Sequence, residues 1–293
     1  MKNLALQRDS LIEFLNSNDY GEVKFISPDF GAKALDYLRI NKPNSFIYPG
    51  IAEQVSVDIA YGIALGKSMP ILYGMSPFIS ARCYEQYKVL FGQTNLPVCL
   101  LPVGVGLGYD HNTLSHYSLD DIGLYSSIPG MEIITPYDSK TAISYLQKWL
   151  SKPSQIVLRL ERQPMPINIL DQGDELERNA LGLITKKNSN NLIITWGYLG
   201  VKILEDSKRK DVDIFIVDKM TSNIPNEIIK ILQNYKTITI TEESYINTGI
   251  AALFTNILSN LKSNVILRHV EASIADLRAH RETVWKKYNL NKI

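Results

Sequence analysis

A chain of 293 residues is about twice an ordinary domain, so two domains are expected. Its 45% apolar and 21% charged content suits a globular protein with a sizeable core, and a net charge of +1 without a basic block excludes a surface built for nucleic acid or an anionic membrane. Cys83 and Cys99 stand in apolar surroundings outside any metal-ligand spacing, no apolar run reaches membrane-spanning length, and no signal-peptide core is present, so a reduced, cytoplasmic protein is expected.

Residues 4–16 place Leu4, Leu11, Ile12, Phe14 and Leu15 on one helical face. A strand is predicted over 23–27, ending in the turn Ser27-Pro28-Asp29, and a short buried strand over 46–48. Tyr48-Pro49-Gly50-Ile51-Ala52-Glu53-Gln54 then opens a helix over 52–67, with Val55, Ile59, Ile63 and Gly66 on one side. Glu53 stands in its first turn, where a carboxylate suits the helix dipole and where α/β sheets place their ligands. A strand over 69–73, a helix over 76–90 and a strand over 96–103 lead to Gly104-Val105-Gly106-Leu107-Gly108. A polar loop rather than a helix follows these glycines, which rules out a dinucleotide fingerprint and predicts a loop passing close to a ligand or to another backbone.

A helix over 119–127, a strand over 131–134, a helix from 136 to about 151 and a strand over 156–160 complete a first alternating set. Pro164, Pro166, Asp171, Gly173 and Asp174 mark a linker. Strands then follow over 183–185, 192–196, 212–217, 237–241 and 265–269, with helices over 199–208, 226–234, 250–261 and 274–287. The expectation is an α/β protein of two three-layer α/β/α domains: a mostly parallel sheet in 1–168, a linker at 169–180 and a smaller domain in 181–293.

Several stretches, taken together and in order, resemble the pyrimidine-binding domain of the transketolase family. They are Gly50-Ile51-Ala52-Glu53-Gln54, Gly62-Ile63-Ala64-Leu65, Met69-Pro70-Ile71-Leu72-Tyr73, Ser76-Pro77-Phe78-Ile79, Arg82-Cys83-Tyr84-Glu85-Gln86, His116-Tyr117-Ser118-Leu119-Asp120-Asp121-Ile122 and Ile128-Pro129-Gly130-Met131. The second alternating set resembles that family's C-terminal domain, with Glu242-Glu243 placed as there. The resemblance implies that Glu53 hydrogen-bonds the aminopyrimidine of thiamine diphosphate and activates it, with Phe78 stacked on the ring and Met75 and Ile51 beside it. It further implies that His116 handles substrate oxygens and moves protons, with Asp110, His111 and Arg162 as further substrate-binding positions. Each has a plainer reading: a dipole-compensating acid for Glu53, core packing for Phe78, surface histidines for His111 and His116, and an ion pair with Glu161 for Arg162.

The family binds diphosphate and metal through a Gly-Asp-Gly motif, and the only similar run, Gly173-Asp174, lies in the linker. The resemblance therefore implies the C-terminal subunit of a split transketolase. A second chain is expected to supply the diphosphate site and the ligands for Mg2+ or Ca2+, in an α2β2 assembly, with no metal ligand on this chain. The implied reaction passes a two-carbon ketol unit from a ketose sugar to an aldehyde. Leu101-Pro102-Val103 stands where the family often has a phosphate-contacting histidine, and Leu4 where it has an arginine, which makes an unphosphorylated acceptor plausible. Ser244-Tyr245 also replaces a histidine often seen beside Glu243. The beta subunit of a 2-oxo-acid dehydrogenase decarboxylase shares the two-domain plan, but the run from His116 to Asp121 favours transketolase. A non-catalytic regulatory subunit is the third reading, and retention of Glu53 and Phe78 argues against it.

Overall fold

Two parallel-dominated sheets, flanked by helices, organise the chain. The structure is a computed structural model that describes residues 3–17, 20–28, 33–110, 112–172, 176–207, 210–271 and 278–293. The first sheet has seven strands, ordered Lys219–Met220, Glu132–Ile134, Gln155–Leu158, Val98–Val103, Met69–Met75, Val23–Ile26 and Phe46–Ile47. All its pairings are parallel except the edge strand Lys219–Met220, which runs antiparallel to Glu132–Ile134. Val98–Val103 is buried along its whole length, as a central strand covered on both faces must be.

The second sheet has six strands, ordered Asn264–Arg268, Thr237–Thr241, Asn191–Thr195, Asp213–Val217, Gly182–Thr185 and Leu176–Arg178. Its first four are parallel, and the last two add in antiparallel sense. Both expected sheets are therefore present, mostly parallel.

Several local expectations are corrected. The N-terminal helix spans Gln7–Ser17, because Leu4–Ala5 pairs instead with Met165–Pro166 in a two-residue ladder. A helix at Lys33–Asn41, burying Leu35 and Leu38, had no counterpart in the sequence reading. The helix expected over 76–90 breaks into Ser76–Ile79, a 3-10 turn Ala81–Cys83, the turn Tyr84–Gln86 and a π-helical stretch Tyr87–Phe91 that buries both end aromatics. Part of the stretch read as linker is the strand Leu176–Arg178. The final helix is Arg281–Lys287, and residues 272–277 of the predicted 274–287 lie outside the described residues, as do Asp29, Gly173 and Asp174.

The Glu53–Leu65 helix buries Ser56, Val57, Ala60 and Ala64 rather than the Val55 side. Small residues there let the helix lie close on the sheet, while Val55 stays half exposed. One apolar cluster runs from Ile26 and Val57 through Val105, Ile122 and Trp196 to Ile194 and Phe254, so the two sheet units share a core. Among the described residues no helix is long and apolar enough to cross a membrane.

The units are also joined by buried charge. Arg281, at the start of the last helix, donates to both Glu161 oxygens at 3.0 and 2.8 Å and to both Glu243 oxygens at 2.7 and 2.6 Å. Nearby, Arg159 is wholly buried, forks onto Asp121 at 2.8 and 2.9 Å, and lies 4.5 Å over the Trp196 ring. Removing buried ions from water costs several kcal/mol each, so these pairings are needed wherever the chain places such charges.

Candidate active site

The carboxyl ends of the first sheet's strands carry the candidate residues, as expected for a parallel α/β sheet. Glu53 is the first residue of its helix and is 7% exposed. Its Oε1 accepts from Arg82 Nη1 at 2.8 Å. The same guanidinium lies 4.3 Å over the Phe78 ring. Phe78 and Arg82 are four residues apart, one helical turn, which places both on one side of the broken helix.

His116 completes the group. Its ring meets Phe78 at 5.3 Å between centroids, edge to face, and Tyr109 at 5.7 Å on the other side. Ser115 Oγ lies 2.9 Å from His116 Nδ1, leaving Nε2 as the nitrogen not held by that contact. Arg162 in turn lies 4.9 Å over Tyr109. A continuous series of contacts thus runs from Glu53 through Arg82, Phe78, His116 and Tyr109 to Arg162.

Buried polar groups hold these pieces in register. Ser118 exchanges both backbone hydrogen bonds with Gly106, at 3.1 and 2.9 Å. Its hydroxyl lies 2.7 Å from that of Ser76, at the head of the Phe78 turn. Ser76 also donates to Asp121 at 3.4 Å, and Asp121 is fixed by Arg159. The loop bearing His116 is therefore pinned to the turn bearing Phe78 by groups that cannot move without leaving buried polar atoms unpaired.

The glycine loop does pass close to other parts of the chain. Gly104 has φ +83, and a Cβ there would sit 2.0 Å from the Tyr109 ring, so glycine lets Tyr109 fold back beneath His116. Gly106 has φ +59, and a Cβ there would lie 2.5 Å from Glu243 Oε2. The neighbours are thus Tyr109 of the same loop and side chains of the second unit.

The remaining expected residues lie around this group. Met75 is half-buried at the end of its strand, immediately before the Phe78 turn. Ile51 is 84% exposed beside Glu53, next to the half-exposed Tyr48 and Val55. Asp110 is turned to the second unit, where its Oδ1 accepts from the Arg281 N–H and its Oδ2 lies 3.1 Å from His280 Nδ1. Glu161 is taken by Arg281 and by the backbone N–H groups of Arg162 and Gln163, so the alternative ion pair for Arg162 is not formed and its side chain is exposed. His111 lies outside the described residues. Arg82 and Tyr109 were given no role by the sequence reading; the four-residue step from Phe78 to Arg82 was the one available signal.

Burial, with the Glu53 charge close by, pushes the Cys83 thiol up to about 12, so it stays protonated beneath the site. Glu242 lies in the second unit, where it caps the helix Ile250–Leu258 through the N–H groups of Ile250 and Ala251 at 2.7 and 3.1 Å. Burial raises its carboxyl to about 7 in spite of those donors. Among the described residues no group of three or more His, Cys, Asp or Glu side chains is placed to hold a metal ion.

A mostly parallel sheet with a buried acid heading the helix after its edge strand, joined through Arg82 to an aromatic from the next strand's end, is the frame on which the comparisons bear. Residues 22–167 match the family described as transketolase, pyrimidine binding domain, and the chain belongs to the transketolase family. It is 26% identical over 226 residues to an apulose-4-phosphate transketolase subunit of Phocaeicola vulgatus, covering 72% of each chain. It is also 26% identical over 271 residues to 1-deoxy-D-xylulose-5-phosphate synthase of Corynebacterium glutamicum, covering 89% of this chain but only 43% of the synthase. A solved split-gene transketolase, described as an inactive beta4 tetramer, superposes with a TM-score of 0.78 at 19% identity, over 98% of this chain and 94% of that one, which shows a shared fold.

Proposed function

We propose that this chain is the pyrimidine-side subunit of a split transketolase, which binds thiamine diphosphate together with a second chain and passes a two-carbon ketol unit from a ketose to an aldehyde. The observation that carries the reading is Arg82. It is a flat, hydrogen-bond-donating group that both pairs with the Glu53 carboxylate and stacks on Phe78. An aminopyrimidine presents the same combination of planar face and in-plane hydrogen-bonding edge. The Glu53–Phe78 pair therefore fits the cofactor's ring, and Arg82, 46% exposed, has solvent to swing into when the ring arrives.

When bound, the cofactor supplies a nucleophilic carbon and an electron sink for breaking a C–C bond beside a carbonyl. Glu53, itself buried, would hydrogen-bond a ring nitrogen of the pyrimidine in place of Arg82. Phe78 supplies an apolar face and stacking. His116 Nε2 exchanges protons with hydroxyl or carbonyl oxygens of the substrate, held in place by Phe78, Tyr109 and Ser115. Arg162, exposed at the far end, meets the distal part of the sugar.

The diphosphate and the Mg2+ or Ca2+ ion that accompanies it are assigned to the partner chain, in an α2β2 assembly within the cytoplasm. Exposed Ile51, Tyr48 and Val55 surround the buried Glu53, which suits a surface that a second polypeptide covers. The test is Glu53→Gln, assayed for ketol transfer in the assembly with a chain carrying Gly-Asp-Gly. Turnover should fall by at least a thousandfold with unchanged thermal stability and partner binding. Near-normal turnover in that variant would refute the assignment.

A further inference from the structure

A groove of about 500 Å3 lies between the helix Ser139–Ser151 of the first unit and residues 178–180 and Lys219 at the junction with the second. Its volume is that of a small-molecule site, and it shares no residue with the Glu53–Phe78 group. Four cations line it: Lys140, Lys148, Arg178 and Lys219. Lys140, Ser144 and Lys148 follow at four-residue steps, so they share one face of the helix.

The acids nearby are mostly committed, the exception being Asp218 Oδ1, which is buried without a partner. Asp138 is buried, and its two oxygens accept from the N–H groups of Thr141 and Ile169 at 2.7 and 2.8 Å. Asp218 is buried behind Arg178, whose guanidinium also donates to the Tyr137 and Tyr145 hydroxyls at 3.1 and 3.0 Å. Glu132 pairs with Lys219 at 3.0 Å, both side chains partly exposed. Lys148 has no carboxylate partner among the described residues.

Asn179, one of the lining residues, carries an unmet donor that is closed off from solvent. The Asn179 carbonyl oxygen accepts from the N–H groups of Leu181 and Gly182, while its buried Nδ2 has no partner in the protein. Buried polar atoms are nearly always satisfied, so this donor would gain from a small turn of the Asn179 side chain toward an acceptor in the groove. The lining offers ammonium, guanidinium and hydroxyl donors, and the carboxylates beside it are buried or paired with its cations. That combination selects a compact, multiply charged oxyanion.

We propose that this groove binds a phosphorylated small molecule, its phosphoryl oxygens held by Lys140, Lys148 and Arg178. The organic part lies along Tyr145. Because the groove is built from both units, its occupancy also braces one against the other.

The test is calorimetric titration of the full chain with inorganic phosphate, ribose 5-phosphate and ADP. At least one ester should bind saturably below about 1 mM and more tightly than inorganic phosphate, and rising salt should weaken it. The preferred ester tells a sugar phosphate from a nucleotide. Lys140→Glu with Lys148→Glu, both exposed, should weaken binding at least tenfold with an unchanged circular dichroism spectrum, and Lys262→Glu should leave it unchanged. Absence of saturable binding, ester binding no tighter than inorganic phosphate, or binding untouched by the double charge reversal would overturn the proposal. So would binding lost in Arg162→Met, which would place the ligand at the candidate active site instead.

Discussion

Arg281→Met tests how the two sheet units are held together. The guanidinium is 5% exposed and is the only cation that reaches both Glu161 and Glu243 among the described residues. Methionine preserves much of the side-chain volume between Tyr198 and Trp285, over whose rings the guanidinium lies at 4.7 and 5.5 Å. What is lost is the charge, and two buried carboxylates are left facing each other. Breaking a buried pair by removing one partner costs about 3–5 kcal/mol. With a urea slope of about 3 kcal/mol per molar, the unfolding midpoint should fall by roughly 1 M or more. Neutralising all three positions, with Glu161→Gln and Glu243→Gln added, should recover most of the loss because no unpaired charge remains. A loss below about 1 kcal/mol, or one that the triple variant does not recover, would refute this account.

Three further outcomes follow from the same geometry. Phe78→Ala removes the ring that would stack on the cofactor, worth about 1–2 kcal/mol, so thiamine diphosphate should bind roughly tenfold more weakly to the assembly by fluorescence titration. Gly106→Ala places a methyl group 2.5 Å from Glu243 Oε2 at a φ of +59 and should cost about 3 kcal/mol in denaturant unfolding. Glu242, raised by burial from 4.5 to about 7, contributes stability that is complete below pH 4.5 and is lost as pH rises through 7. That loss should be roughly 3 kcal/mol, and Glu242→Gln should flatten this part of the stability profile; an identical profile in the variant would count against the shift.

The sequence by itself determined the alternation of strands and helices, the two mostly parallel sheets and the local placement of Glu53, Phe78 and His116. These are properties of short range: apolar runs of strand length, turn residues between them, and an ordered set of motifs. Local patterning failed where segments were too short to show a period. Leu4–Ala5 and Lys219–Met220 are two-residue strands that exist only because a distant partner offers an edge. The predicted 76–90 helix likewise first breaks at Ser80, whose φ of −104 and ψ of −87 leave the helical region although no glycine or proline stands there.

Only the tertiary structure decided which charges meet. Glu53 and Arg82 are 29 residues apart, and Glu161 and Arg281 are 120 apart. No spacing rule links such pairs, because each long-range ion pair depends on where several strands place their ends. Asp110, one of several polar residues in its loop, was turned toward Arg281 and His280 by the docking of the last helix. Burial sets the outcome in each case: once a charge is closed off from water it must find its partner inside the fold, and only the packing of both units fixes which partner is within reach.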